Sequence, residues 1–370
     1  MKRMFARAIA FGIGLGACDS DVPPVPSDLL RTEFSDVPVV ALDVLMPPIA
    51  STQLKAPAGD PIGTATSLAI LGARVYVVDL FQSVVKVFDR PTGAFVRKLS
   101  RPGDGPGELR RPVAIEVDTL AGATRLLVLD RTRQGITILD TLGASLGQVH
   151  VPGSWTTMAR HGSPGLVILG GVATATNDAK TQANVKMNIV HEVDLATGES
   201  QASYYPFTPP TRLYEGVFNN PAVAAGNSII VAGAFNTNRL FVRERRTGEE
   251  HYSDIGAPWY RPIEWPTPET PLPGTSTPDK VNRWSRRQQM LVRVFVGAAD
   301  EVLAQFRWAK DSGEVTYAYV LADTRGTPLR ATSYGPFQLL RLSGDTAFGV
   351  VTDTATGDLS LETRLLKAPH

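Results

Sequence analysis

Beyond an apolar N-terminal run, the chain alternates short β-branched or aliphatic runs with polar turns, and helical periodicity is nearly absent. The clearest runs are Val75-Tyr76-Val77-Val78-Asp79 and Leu126-Leu127-Val128-Leu129-Asp130. Ten residues beyond each start lie Val85-Lys86-Val87-Phe88-Asp89 and Ile136-Thr137-Ile138-Leu139-Asp140, so both matches share an offset of 51 residues. A fixed offset of that size predicts an array of four-stranded units.

The turn after the second run recurs as Asp89 to Gly93, Asp140 to Gly143 and Asp194 to Gly198, and more loosely as Arg245 to Gly248, Asp323 to Gly326 and Asp353 to Gly357. Asp bonds its own downstream backbone and Gly supplies the positive φ of a hairpin bulge, so six such turns predict six small antiparallel sheets. The units fall near residues 62–100, 112–150, 154–205, 219–257, 285–334 and 337–366. Four-stranded sheets that must bury both faces close into a ring, which predicts an all-β, six-bladed β-propeller of four-stranded antiparallel blades. A pair of β-sandwiches is the alternative. The last unit has only three strands, Phe337–Leu342, Thr346–Val351 and Leu359–Leu366, while Val37–Val44 is a strand without a sheet. Pairing that N-terminal strand with the last blade would close the ring and cover an exposed edge.

Gly103-Asp104-Gly105-Pro106-Gly107-Glu108-Leu109, followed by Pro112, resembles the G-x-G-P-G-E-F…P junction of six-bladed propellers related to NHL repeats. The run before it is similar to that family's I-Y-V-A-D…I-Q-V-F-D pattern. The close match spans residues 62–150; Leu109 stands where the family has an aromatic residue, and the later units lack the glycine-rich junction.

The N-terminus changes the picture of where this ring resides. Lys2, Arg3 and Arg7 precede an uncharged apolar run from Ala8 to Ala17, too short to span a bilayer as a helix. It ends in Leu15-Gly16-Ala17-Cys18, which resembles the bacterial lipobox; the resemblance implies cleavage before Cys18, acylation of that residue and a place in the bacterial cell envelope. Cys18 is the only cysteine, so no intramolecular disulfide is expected. The expected organisation is a signal peptide (1–17), an acidic, proline-rich tether (18–32) and a propeller (33–370) with a proline-rich insertion at 258–284. Cleavage would remove three basic residues and leave 34 basic against 36 acidic, so nothing electrostatic points to nucleic acid.

Catalytic chemistry is hard to find. No two of His150, His161, His191, His251 and His370 stand at metal-ligand spacing, and neither a metal nor another cofactor is expected. The Gly103–Gly107 loop lacks the following helix that would cradle a phosphate, and there is no G-x-S-x-G elbow. In a four-stranded blade, the turn between the second and third strands shares a face with the link to the next blade. The long links all fall on that face and carry Arg101, Arg110, Arg111, Arg212, Tyr214, Trp259, Tyr260, Arg261, Trp265 and Arg283, while Arg131 and Arg133 lie in the second blade's inner turn on the same face. These candidates predict a membrane-anchored binding or scaffold protein whose loop face takes an anionic glycan, an acidic peptide or a protein partner. The alternative is an envelope hydrolase or lyase that works in the central tunnel.

Overall fold

The computed structural model describes residues 33–173, 187–207, 221–233, 237–263, 284, 287–310 and 313–367. An N-terminal segment carries β1 (Val39–Val40), a single helical turn α1 (Leu42–Leu45) and β2 (Pro48–Gln53). Blade one follows with β3 (Ala65–Leu71), β4 (Arg74–Asp79), β5 (Val84–Asp89) and β6 (Phe95–Lys98). Blade two holds β7 (Pro112–Leu120), β8 (Ala123–Asp130), β9 (Gly135–Asp140) and β10 (Ser145–His150). Blade three holds β11 (Gly153–Arg160), β12 (Leu166–Ala173), β13 (Met187–Asp194) and β14 (Ser200–Phe207). Blade four holds β15 (Ala222–Ala225), β16 (Ile229–Gly233), β17 (Arg239–Glu244) and β18 (Glu250–Asp254). Blade five holds β19 (Met290–Val296), β20 (Val302–Ala309), β21 (Val315–Ala322) and β22 (Pro328–Thr332). Blade six holds β23 (Gln338–Ser343), β24 (Thr346–Thr352) and β25 (Leu359–Leu365).

Strands β3, β7, β11, β15, β19 and β23 contact one another in turn, and β23 returns to β3, so the ring closes around a channel lined by these six. Six apolar layers fill the gaps between neighbouring blades, which explains the continuous hydrophobic runs of the second strands. In β4, Val75 and Val77 pack toward blade six while Tyr76 and Val78 pack toward blade two. Both faces of the strand are covered, so alternation disappears, and each such side chain contributes about 1.5–3 kcal/mol.

The 51-residue repeat has a polar counterpart inside the blades. Asp79 and Asp130 occupy matching positions at the ends of β4 and β8, and both are wholly buried. Asp79 accepts hydrogen bonds from the backbone N–H groups of Gly63, Thr64 and Gln82. Asp130 accepts them from Arg110, Arg111, Thr132 and Arg133. Each carboxylate thereby ties the link entering its blade to the turn between the second and third strands, satisfying donors that no strand ladder reaches.

Ring closure comes from the N-terminus, but through a different segment than Val37–Val44. Within that stretch, Val39–Val40 pairs in parallel with β22 of blade five, and residues 42–45 form α1. The fourth strand of blade six is β2, antiparallel to β25, with Thr52 opposite Leu361 and Gln53 opposite Ser360. As an outer strand with five of its six residues exposed, β2 carries little of the hydrophobic pattern that marks inner strands.

The turn glycines confirm that β2 is the outer strand. The turn between third and fourth strands packs on the end of the preceding blade's outer strand, where Gly198, at φ 76°, lies against the carbonyl of His150. Gly93, at φ 67°, lies against the carbonyl of Gln53 in the same way, so β2 plays for blade six the part β10 plays for blade two. A Cβ at either glycine would overlap that oxygen. The last Asp–Gly turn departs from the series: Asp353 to Gly357 joins β24 to β25, the second and third strands of blade six.

Candidate functional site: an arginine-lined channel

The channel is a cavity of about 1640 Å³, and it extends between blades three and four. Nine arginines and three glutamates line it, in a chain whose net formal charge is only +1. The glutamates are all engaged. Glu116 of β7 pairs with Arg341 of β23 at 2.6 Å, a strut spanning from blade two to blade six past blade one. Glu192 meets His161 at 3.4 Å and the Tyr204 hydroxyl, while Glu244 accepts from Thr247 at 2.5 Å. Burial pulls the His161 imidazole below its ordinary range, as does the Arg245 charge beside it, although Glu192 opposes both.

Several guanidinium groups have no such balance. Arg111 and Arg131 stand together near one mouth, delivered by the link entering β7 and by the turn after β8. Burial pulls Arg131 below its ordinary range and the Arg111 charge adds to the effect; its one side-chain hydrogen bond is donated to Ser154 Oγ, at 3.3 Å. Arg160 lies exposed at the far end of β11. Arg293, the fourth residue of β19, donates to the Thr66 carbonyl of blade one across blade six. Among the described residues, none of these four arginines has a carboxylate partner. Clustered cations inside low-dielectric walls focus a positive potential into the channel, and each planar fork can grip a carboxylate through two parallel bonds. Among the described residues no three His, Cys, Asp or Glu side chains converge as a metal site.

The loop-face candidates divide. Arg111 and Arg131 turn inward and line the channel. Arg101 pairs with Glu108 at 2.6 Å and Arg110 pairs with Asp104. Arg133 donates to the carbonyls of Asp104, Gly105 and Glu108, so these three arginines hold the glycine-rich junction closed on itself. Trp259 donates to the Thr332 carbonyl at 2.8 Å and packs edge-on against Phe306 and Tyr334, while Tyr260 is buried beside Phe34. Both rings seal the layer between blades four and five instead of standing out as a display. Arg261 donates to the carbonyls of Pro258 and Tyr260. Arg212, Tyr214, Trp265 and Arg283 lie outside the described residues. Sequence reasoning passed over Arg160, Arg293, Arg307 and Arg341. The available signal was an arginine interrupting an apolar inner strand, as in Met-Leu-Val-Arg293-Val-Phe-Val and Gln-Leu-Leu-Arg341-Leu.

Comparison with curated protein sequences finds no match. Among solved structures, the chain is similar to a member of the DUF4221 family from Bacteroides vulgatus, with 8% identity, 88% of this chain and 98% of that one covered, and a TM-score of 0.59. It is also similar to a protein of Bacteroides fragilis named for its inferred export, with 12% identity, 90% and 99% covered, and a TM-score of 0.56. At these identities the likeness concerns the fold alone. Residues 47–149, which hold the closing strand and the first two blades, match the family DUF5128, whose description is that of a six-bladed β-propeller.

Proposed function

We propose that this protein is a lipid-anchored binding propeller of the bacterial envelope whose channel takes up an anionic ligand from the loop face. The carrying observation is that channel arginines, among them Arg111, Arg131, Arg160 and Arg293, have no carboxylate partner among the described residues. Burial pulls the Arg131 and Arg293 guanidinium groups below their ordinary range, and Arg111 and Arg160 add exposed positive charge to the same channel, so a ligand that supplies carboxylates or similar groups is favoured over a neutral one. Acidic glycans and acidic peptides meet that requirement. The envelope reading is supported by the leader ending at Cys18 and, at the level of fold, by the similar Bacteroides fragilis protein whose name carries inferred export.

Two experiments separate the parts of this reading. Cys18→Ser is expected to abolish acylation and release the protein from the membrane fraction, because the short leader cannot anchor it. Full membrane retention together with an unacylated wild-type Cys18 rejects the anchor. The double variant Arg111→Gln, Arg131→Gln is expected to keep its melting temperature and to lose binding to acidic polysaccharide by at least roughly tenfold, since charge-assisted hydrogen bonds contribute about 1.5–3 kcal/mol each. Wild-type binding should also weaken as salt rises. Equal binding by the double variant, or a wild type that prefers neutral glycans, rejects the channel as the site.

A further inference from the structure

A second cavity of about 480 Å³ opens off the channel where blades five, six and one meet, within the usual 300–1,000 Å³ span of small-molecule sites. It shares Thr66, Val292, Arg293 and Arg307 with the channel and adds Tyr317 and Gln338 to its wall. Strand register explains how blade five builds it. Arg293 of β19 stands opposite Gln305 of β20, and two residues along β20, on the same face, Arg307 stands opposite Tyr317 of β21. Two guanidinium groups and a phenol therefore share one face of blade five, and that face looks toward blade six. The charges of both arginines reach the Tyr317 hydroxyl, although burial outweighs them and pushes that phenol up.

Two groups on the cavity wall, Arg293 and Thr66, point to a ligand, and a third polar group lies behind that wall. Arg293 has five N–H donors, yet its single hydrogen bond goes to the Thr66 carbonyl, and among the described residues no carboxylate pairs with it. Gln305 is fully buried behind the same face, and neither its amide oxygen nor its amide nitrogen makes a hydrogen bond within the protein. The Thr66 hydroxyl, on the wall shared by both cavities, is buried and likewise unpartnered. Native interiors rarely leave so many polar groups unmatched in one place, and each such group costs about 1–3 kcal/mol. A planar carboxylate satisfies a guanidinium fork through two parallel bonds, which a ligand hydroxyl alone does not. The rest of the wall combines Thr64, Thr352 and the Gln338 amide with the apolar side chains of Ile62, Val315 and Val350. That mixture suits a ring with hydroxyl edges and a less polar face better than a flexible acidic side chain.

We propose that this side pocket is the subsite for one uronate ring of an acidic glycan, its carboxylate held by Arg293 and Arg307 and its ring set against Tyr317. The subsite rests on the reading of the channel as an anion-binding site and gives that site its ligand class. Arg111 and Arg131 attract further carboxylates of the same chain at the mouth, while the side pocket selects for the sugar ring.

The test measures binding of trigalacturonate, of its carboxyl-reduced neutral counterpart and of a triglutamate peptide by calorimetry, using the mature protein. The wild type is expected to bind trigalacturonate and to bind the other two at least tenfold more weakly. Arg307→Gln and Arg293→Gln should each weaken trigalacturonate by tenfold or more, and Tyr317→Phe by a few-fold, with melting temperatures measured alongside. Arg293→Gln also removes the brace to Thr66; if it does not fold, Arg307→Gln decides the matter. Trigalacturonate binding unchanged by Arg307→Gln but lost in the Arg111, Arg131 double variant overturns the subsite and leaves the channel reading standing. Triglutamate bound as tightly as trigalacturonate overturns the choice of a sugar ring. A wild type that binds none of the three overturns both the subsite and the channel reading.

Discussion

A chain shortened to begin at Lys55 is expected to lose its cooperative thermal transition, whereas one beginning at Glu33 should melt like the full mature protein. The first truncation removes β2, so β25 becomes a bare edge with its ladder to residues 48–53 gone. It also removes Phe34, Val37, Leu45, Met46 and Leu54, all buried. Phe34 and Val37 belong to the layer between blades four and five, Leu45 and Met46 to that between five and six, and Leu54 to that between six and one. At about 1.5–3 kcal/mol for each large buried side chain, the loss is comparable with the whole stability of an ordinary domain, about 5–15 kcal/mol. Residues 18–32 are expected to contribute nothing comparable, because an acidic, proline-rich sequence has little apolar surface to bury. Circular dichroism melts of the two truncations check this, and indistinguishable midpoints would refute the closing role of β2.

The sequence made the ring legible wherever a strand is covered on both faces. Val75 to Asp79 and Leu126 to Asp130 read as strands because neighbouring blades bury every one of these side chains. The same two runs carried the repeat, since Asp79 and Asp130 do the same job at the same offset. Outer strands were harder. Pro48–Gln53 alternates poorly because it faces solvent, so Val37–Val44, richer in β-branched residues, looked the better strand. The Asp353 to Gly357 turn shows the limit of turn chemistry: the motif specifies a tight connection, not which pair of strands it connects.

The candidate site was less legible, for a reason specific to propellers. Arginines on loops announce themselves as a surface patch, yet Arg101, Arg110 and Arg133 are consumed by the two carboxylates and the carbonyls of their own junction. Which arginines point into the channel depends on the register of inner strands contributed by residues hundreds of positions apart. The contact of Arg293 with Thr66 spans 227 residues and that of Arg341 with Glu116 spans 225. No local pattern encodes such a meeting. Trp259 and Tyr260 mislead in the opposite sense, since aromatic residues beside prolines resemble a displayed binding loop but here cap an apolar layer.

Lys86→Met is expected to destabilise the domain by about 3–5 kcal/mol, the usual cost of leaving one partner of a buried ion pair behind. Lys86 lies in β5 with no exposed surface, and its ammonium stands 3.3 Å from Asp79, itself wholly buried, and 3.2 Å from Asp60. It also donates to the carbonyls of Asp60 and Pro61, fastening the segment that leads from β2 into blade one. The matching residue in blade two is Thr137, where Asp130 is satisfied by four backbone donors without a lysine. Blade one therefore adds an ion pair to its backbone donors where blade two uses backbone donors alone. The effect should depend on pH in a defined direction. Burial tends to raise the Asp60 carboxyl, but Lys98 and Lys86 together hold it below the ordinary carboxylate range. Its contribution is thus fully present above the pKa of the unfolded chain and is lost as pH falls through the lower folded value. Wild-type stability should drop over that acidic interval, and Lys86→Met should drop less steeply there while being weaker at neutral pH. Denaturant melts at neutral and acidic pH measure both quantities. A Lys86→Met midpoint equal to wild type at neutral pH would show that Asp79 is satisfied by Gly63, Thr64 and Gln82 alone.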